Sequence, residues 1–172
     1  MKKLMVVCLI LIIAFAFMSC QKPEEDITIE PDFKIEGQVV KFSMMLDNKY
    51  TLKNQETYDI FFMSTYEAAD GKQIRVIEEE APGYTVDEAY LEEELTAIEE
   101  IITERTEILD VAGFGKLYGA LLEDHTLGDY MFYYKFNVGE DVVTVLFHNK
   151  KKFTSVDEAS VKRMISTVKS EQ

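Results

Sequence analysis

Histidine and cysteine, the side chains most readily read as base, thiol nucleophile or metal ligand, number two each in this 172-residue chain. His125 lies within Glu123-Asp124-His125-Thr126-Leu127-Gly128-Asp129, and His148 stands just before Asn149 and three lysines. An imidazole between carboxylates has the makings of a general base or of half a metal site. His125 and Asp129, with Asp124 beside them, are therefore the candidate centre of a cell-envelope hydrolase or metal-dependent enzyme. A working centre needs more groups than these to converge. The chain has no Gly-x-Ser-x-Gly elbow, phosphate-binding loop, His-Glu-x-x-His or calcium-loop pattern. Gly113, Gly115 and Gly119 lack the dinucleotide spacing and precede a strand pattern instead of opening a helix. The favoured reading is a protein without catalysis, metal or cofactor, with the enzyme as its rival.

The carboxylates are unevenly spread. There are 32 acids against 18 bases, a formal net charge of −14, and residues 78–107 alone hold 12 acids and one base. A chain this acidic is a poor partner for nucleic acid, whose phosphates need a basic surface. Glu78-Glu79-Glu80 and Glu92-Glu93-Glu94 suggest calcium, but calcium asks for six to eight oxygens on one point, and glutamates on a helix fan outward. Both runs read as a solvated face. Glu92, Glu93, Glu99 and Glu100 on that face are the candidate surface for a basic partner.

The N-terminus carries the clearest signal. Met1-Lys2-Lys3 precedes an uncharged run from Leu4 to Met18, shorter than the roughly 20 residues a membrane span needs. It suits the apolar core of a secretory signal. The run ends in Phe17-Met18-Ser19-Cys20, which resembles the bacterial lipobox. The resemblance implies a signal peptide over residues 1–19, acyl chains of the palmitate type on Cys20, and a protein held by lipid to a bacterial membrane outside the cytoplasm. Cys8 would leave with the signal, so the mature chain would keep no free thiol. Residues 20–32 then form a lipidated cysteine and a flexible acidic tether, with four acids and two prolines between Gln21 and Pro31. Residues 33–172 are left as a single domain of ordinary size.

Within that domain, alternation predicts strands over 39–46, 50–52, 58–64, 74–77, 107–112, 117–122, 130–138 and 142–148. In the aromatic strand Tyr130, Phe132, Tyr134 and Phe136 share one face; Met131, Tyr133, Lys135 and Asn137 share the other. Leu91, Leu95, Ile98 and Ile102 recur at helical spacing behind a Thr85-x-x-Glu88 capping box, which predicts a helix over 85–105. Ser155-x-x-Glu158 opens a second helix over 155–169. The short connections make the sheet largely antiparallel. The fold class is α+β, with about six to seven strands covered by the two main helices.

From about Tyr58 to Val168 the order of parts resembles the PsbP-like group, which includes DcrB-type lipoproteins: an early hairpin, the helix from Thr85, the glycine-bracketed Gly113-Phe114-Gly115-Lys116-Leu117-Tyr118-Gly119, two aromatic strands and a closing helix ending in Met164-Ile165-Ser166-Thr167-Val168. That resemblance implies an antiparallel sheet between helices and a small extracytoplasmic binding or accessory role. It carries over no functional residue. The expected partners are thus a membrane, through Cys20, and a protein or small ligand not identified by the sequence.

Overall fold

A computed structural model describes residues 32–97, 101–124 and 126–171. Ten strands and two helices follow in the order β1 (Phe33–Glu36), β2 (Phe42–Leu46), β3 (Tyr50–Thr57), β4 (Phe61–Ala68), β5 (Gln73–Glu79), α1 (Glu88–Thr96), β6 (Ile101–Val111), β7 (Gly115–Asp124), β8 (Asp129–Val138), β9 (Asp141–Asn149), α2 (Ser155–Ile165) and β10 (Lys169–Ser170). Seven strands form an antiparallel sheet in the order β3-β4-β5-β9-β8-β7-β6, and β1-β2-β10 form a second, three-stranded sheet. Each edge strand of the large sheet breaks register once, β3 between Leu52 and Asn54 and β6 between Thr103 and Arg105.

The class is α+β, and the aromatic strand divides its side chains as its alternation predicts. Phe132, Tyr134 and Phe136 enter a large apolar cluster on the inner face, where the small sheet and α2 cover them with Phe42, Met44, Leu46, Val161, Met164 and Ile165. Tyr133 and Met131 enter a smaller cluster beneath α1 on the outer face. The two helices therefore do not cover the sheet alone; the inner face is roofed largely by strands.

Two helix boundaries differ from expectation. The helix expected over 85–105 stops at Thr96, and 101–105 lies in β6. Ile101, Ile102 and Thr103 are β-branched, stiff at χ1 and better suited to a pleated strand than to a helix. The cap is Asp87, whose carboxylate accepts from the Tyr90 N–H, instead of Thr85. The helix expected over 155–169 ends at Ile165, and Lys169 and Ser170 pair with β2. Its capping box forms one residue earlier, between Thr154 and Asp157.

Glycine's missing side chain matters at two close approaches. Glu107, Gly119 and Tyr134 stand in register across β6, β7 and β8. A Cβ on Gly119 would lie 2.5 Å from the Tyr134 ring. Without it the ring crosses β7 and its hydroxyl donates to Glu107. Gly37 likewise lets the loop into β2 pack on itself and on Phe42.

That loop exposes three successive N–H groups to one acceptor. Gln38, Val39 and Val40 donate to Glu78 Oε2 at 2.8, 2.8 and 2.9 Å. Glu78 is 2% exposed, so the first residue of the Glu78-Glu79-Glu80 run belongs to the interior and not to a solvated face. In β5 the inward parity runs Ile74, Val76, Glu78, and the carboxylate replaces the backbone partners that the loop would otherwise lack.

Candidate binding groove

α1 crosses the outer face with Leu91 and Leu95 buried against Ala120, Leu122 and Tyr133. Its approach is fixed by Asn137, which accepts from the Val86 N–H at 2.7 Å and donates to the Tyr84 carbonyl at 2.9 Å. A polar clamp holds its middle. Glu94 accepts from the Tyr133 hydroxyl and, at 2.7 Å, from Lys135 Nζ. Lys135 is 5% exposed. Burial pushes its ammonium down, but the Glu94 hydrogen bond and charge outweigh burial and keep it above its ordinary value. Burial, then the bond to Glu94, push the Tyr133 phenol up, so Tyr133 stays a neutral donor.

Between α1 and the edge formed by β6 and β7 runs a groove of about 610 Å³. Leu91, Leu95, Ile108 and Tyr118 give it an apolar lining, Thr103 and Thr106 line the strand side, and Glu88 and Glu92 stand on the helix side. Ile108, one of two exposed apolar side chains on β6 with Ile102, is 45% exposed and opens onto the groove. Chemically the groove suits a segment with apolar side chains on one face and cationic groups beside them.

The candidate residues fall as follows. Glu92 and Glu93 are exposed, Glu92 on the groove and Glu93 beside it. Glu99, Glu100, His125 and Cys20 lie outside the described residues. Asp129 does not stand free: its carboxylate meets His148 Nε2 at 2.7 Å, each side chain about one-sixth exposed. Asp124 accepts from the N–H groups of Thr126 and Leu127 and so shapes the turn before β8. Among the described residues no three of His, Cys, Asp and Glu stand close enough to hold a metal ion. No described helix is long and apolar enough to cross a membrane.

Sequence reasoning missed Glu94 and Lys135 as a pair, because Glu94 hides within a run of three glutamates. The usable signal was Lys135 itself, which shares the face of Met131 and Tyr133 and so demanded an acid from whatever packed there. Phe61 and Met63 are half-buried on the outer face of β4, beyond the cluster beneath α1.

No protein-family model matches the sequence, and no curated protein matches it either. Solved structures share the fold, among them a cyanobacterial PsbP and a Ran-binding protein. Cyanobacterial PsbP (CyanoP) from Synechocystis superposes with a TM-score of 0.61 over 84% of this chain and 95% of its own, at 9% identity. The Ran-binding protein Mog1p of Saccharomyces cerevisiae gives 0.52 over 82% of this chain and 96% of its own, at 11% identity. At such identities the likeness is one of fold, and it supports the PsbP-like architecture that the order of elements implies.

Proposed function

We propose that this protein is a lipid-anchored extracytoplasmic binding or accessory domain that does no catalysis. Residues 1–19 serve as its signal peptide, Cys20 carries the lipid, residues up to 32 act as a tether, and residues 33–172 form the binding domain. Its partner is a protein segment, basic and amphipathic, that lies in the groove beside α1. The observation that supports this reading is the groove itself, with an apolar lining open at Ile108 and acids at Glu88 and Glu92. The fold it shares with a Ran-binding protein is consistent with a binding role.

Two measurements test it. Cells fed labelled palmitate should label the wild-type chain and not Cys20→Ala; labelling that survives the substitution removes the anchor. A synthetic amphipathic Lys/Leu peptide should bind the full chain in a salt-sensitive manner. Binding should weaken about tenfold in Glu88→Gln/Glu92→Gln and also in Ile108→Lys, about 1.4 kcal/mol in each case. Binding that ignores both variants would rule out the groove.

A further inference from the structure

The end of the molecule where the N-terminal segment joins the domain is also the end where lysines project. Asp32, just before β1, bonds Arg163 of α2, and Arg163 also bonds Asp47 at the turn into β3. Ser160 donates to the same Asp47. One helical turn earlier Asp157 meets Lys72 Nζ at 2.9 Å, and Lys72 meets Asp70 at the same distance. From Arg163 to Asp157 is about 9 Å of helix rise. The chain thus enters beside an open basin of about 730 Å³ bordered by Lys53, Lys72, Lys150, Lys151 and Lys152, with Glu67, Asp70 and Asp157 among them.

The two signs of charge at this end do not share the surface equally. Asp47, Asp157 and Asp32 are 14%, 16% and 20% exposed, drawn inward onto Arg163, Lys72 and the cap of α2. Asp70, 50% exposed, is the acid that projects, and it is paired with Lys72. The Lys152 and Lys53 side chains are 64% and 55% exposed although each has a carboxylate partner. Lys150 and Lys151 are exposed and form no ion pair among the described residues. At the opposite end, one strand length away, stand Asp59, Glu79, Glu80, Asp87, Glu88 and Glu140. β8 joins the two ends over ten residues, roughly 30 Å.

We propose that this lysine-bearing end seats on the anionic phospholipid headgroups of the membrane that anchors the chain, ammonium groups against phosphates. The inference rests on the reading that Cys20 carries a lipid. Eleven residues lie between Cys20 and Asp32. A flexible chain of that length spans about 20 Å on average, which keeps this end close to the bilayer. Lysines near an anionic surface are attracted within a Debye length, about 8 Å at physiological salt, and the acidic far end is repelled. Both effects hold the Glu88 end of the groove beside α1 away from the lipid, with the groove running along the side of the seated molecule.

The test uses the full chain made in bacteria, its mass measured to establish acylation of Cys20, and reconstituted into vesicles carrying a headgroup-bound quencher. A fluorophore is placed at Ser155→Cys, at the start of α2, or at Glu140→Cys, at the far end. In vesicles containing phosphatidylglycerol the Ser155 probe should be quenched several-fold more than the Glu140 probe. The excess should fall in pure phosphatidylcholine, in high salt, and in Lys150→Gln/Lys151→Gln/Lys152→Gln. Equal quenching at the two sites, or an excess indifferent to phosphatidylglycerol and to the three lysines, overturns the seating while leaving the anchor intact. An unacylated Cys20 overturns the anchor and the seating together.

Discussion

The two faces of the seven-stranded sheet are built from the same strands and have different tasks. The inner face is dry, with Phe132, Tyr134, Phe136 and Phe147 almost wholly buried beneath a second sheet and a helix. The outer face is covered only where α1 lies, and Phe61, Met63, Thr65 and Ile77 beyond it stay half-exposed. Such a division concentrates stability on one side and leaves the other able to present a groove. On the inner face packing holds the structure; on the outer face a nine-residue helix depends on two leucines and one ionic clamp. A helix that short is marginal by itself and is held by its contacts with the sheet.

The largest expected effect comes from emptying the inner face. Phe136→Ala should cost about 3–5 kcal/mol in denaturant unfolding, as for other large aromatic deletions in closed cores. If it cost no more than Leu95→Ala beneath α1, the contrast between the faces would fail. Next comes Glu78→Ala, expected to cost about 3 kcal/mol because three N–H groups of the Gln38–Val40 loop lose their acceptor where water is excluded.

Glu94→Ala should cost about 2 kcal/mol, at the low end for a broken buried pair since Glu94 itself is one-third exposed. The loss should appear as faster hydrogen exchange in α1 ahead of the sheet. Glu92→Gln and Glu93→Gln, its immediate neighbours, should change stability by less than about 0.5 kcal/mol. Equal losses at all three positions would show that the clamp contributes nothing.

A smaller effect is expected from acid titration. Burial pushes the Glu107 carboxyl up, but hydrogen bonds from Lys162 and Tyr134 outweigh it and hold Glu107 below the ordinary value of 4.5. With the folded value depressed, its stabilisation is present above that value and is lost as pH falls through the folded one. Melting temperature should therefore fall below about pH 4.5 less steeply in Glu107→Gln than in the wild type. Parallel profiles would remove Glu107 from the acid response.

Much of this architecture was legible because alternation survives in the strands. β8 splits as its residues predict, and the turns at Asp47-Asn48-Lys49, Asp70-Gly71 and Gly139-Glu140 stand where turn residues cluster. The helix running on to 105 was misread because Leu91, Leu95, Ile98 and Ile102 continue a helical spacing into a run of β-branched residues. Pairing of Ile101 with Asp124, a contact no local pattern contains, decides for the strand. The two glutamate triplets teach a narrower lesson. Each looks uniform, yet Glu78 is buried and Glu94 is tied to the buried Lys135 while Glu92 and Glu93 are exposed. Parity in β5 would have singled out Glu78; only the docked helix singles out Glu94. The groove itself was not legible, because it lies between elements far apart in sequence.

The register breaks in β3 and β6 bear on how copies behave when crowded. An open sheet ends in rows of unpaired backbone groups, which invite another chain to add a strand. Here the irregularity in β3 falls at Lys53 and that in β6 at Glu104, each placing a charged residue where the ladder is interrupted. Polymerisation edge to edge would have to straighten both bulges and bring these charges to the seam. Both charges thus oppose the addition of a strand at either edge of the sheet.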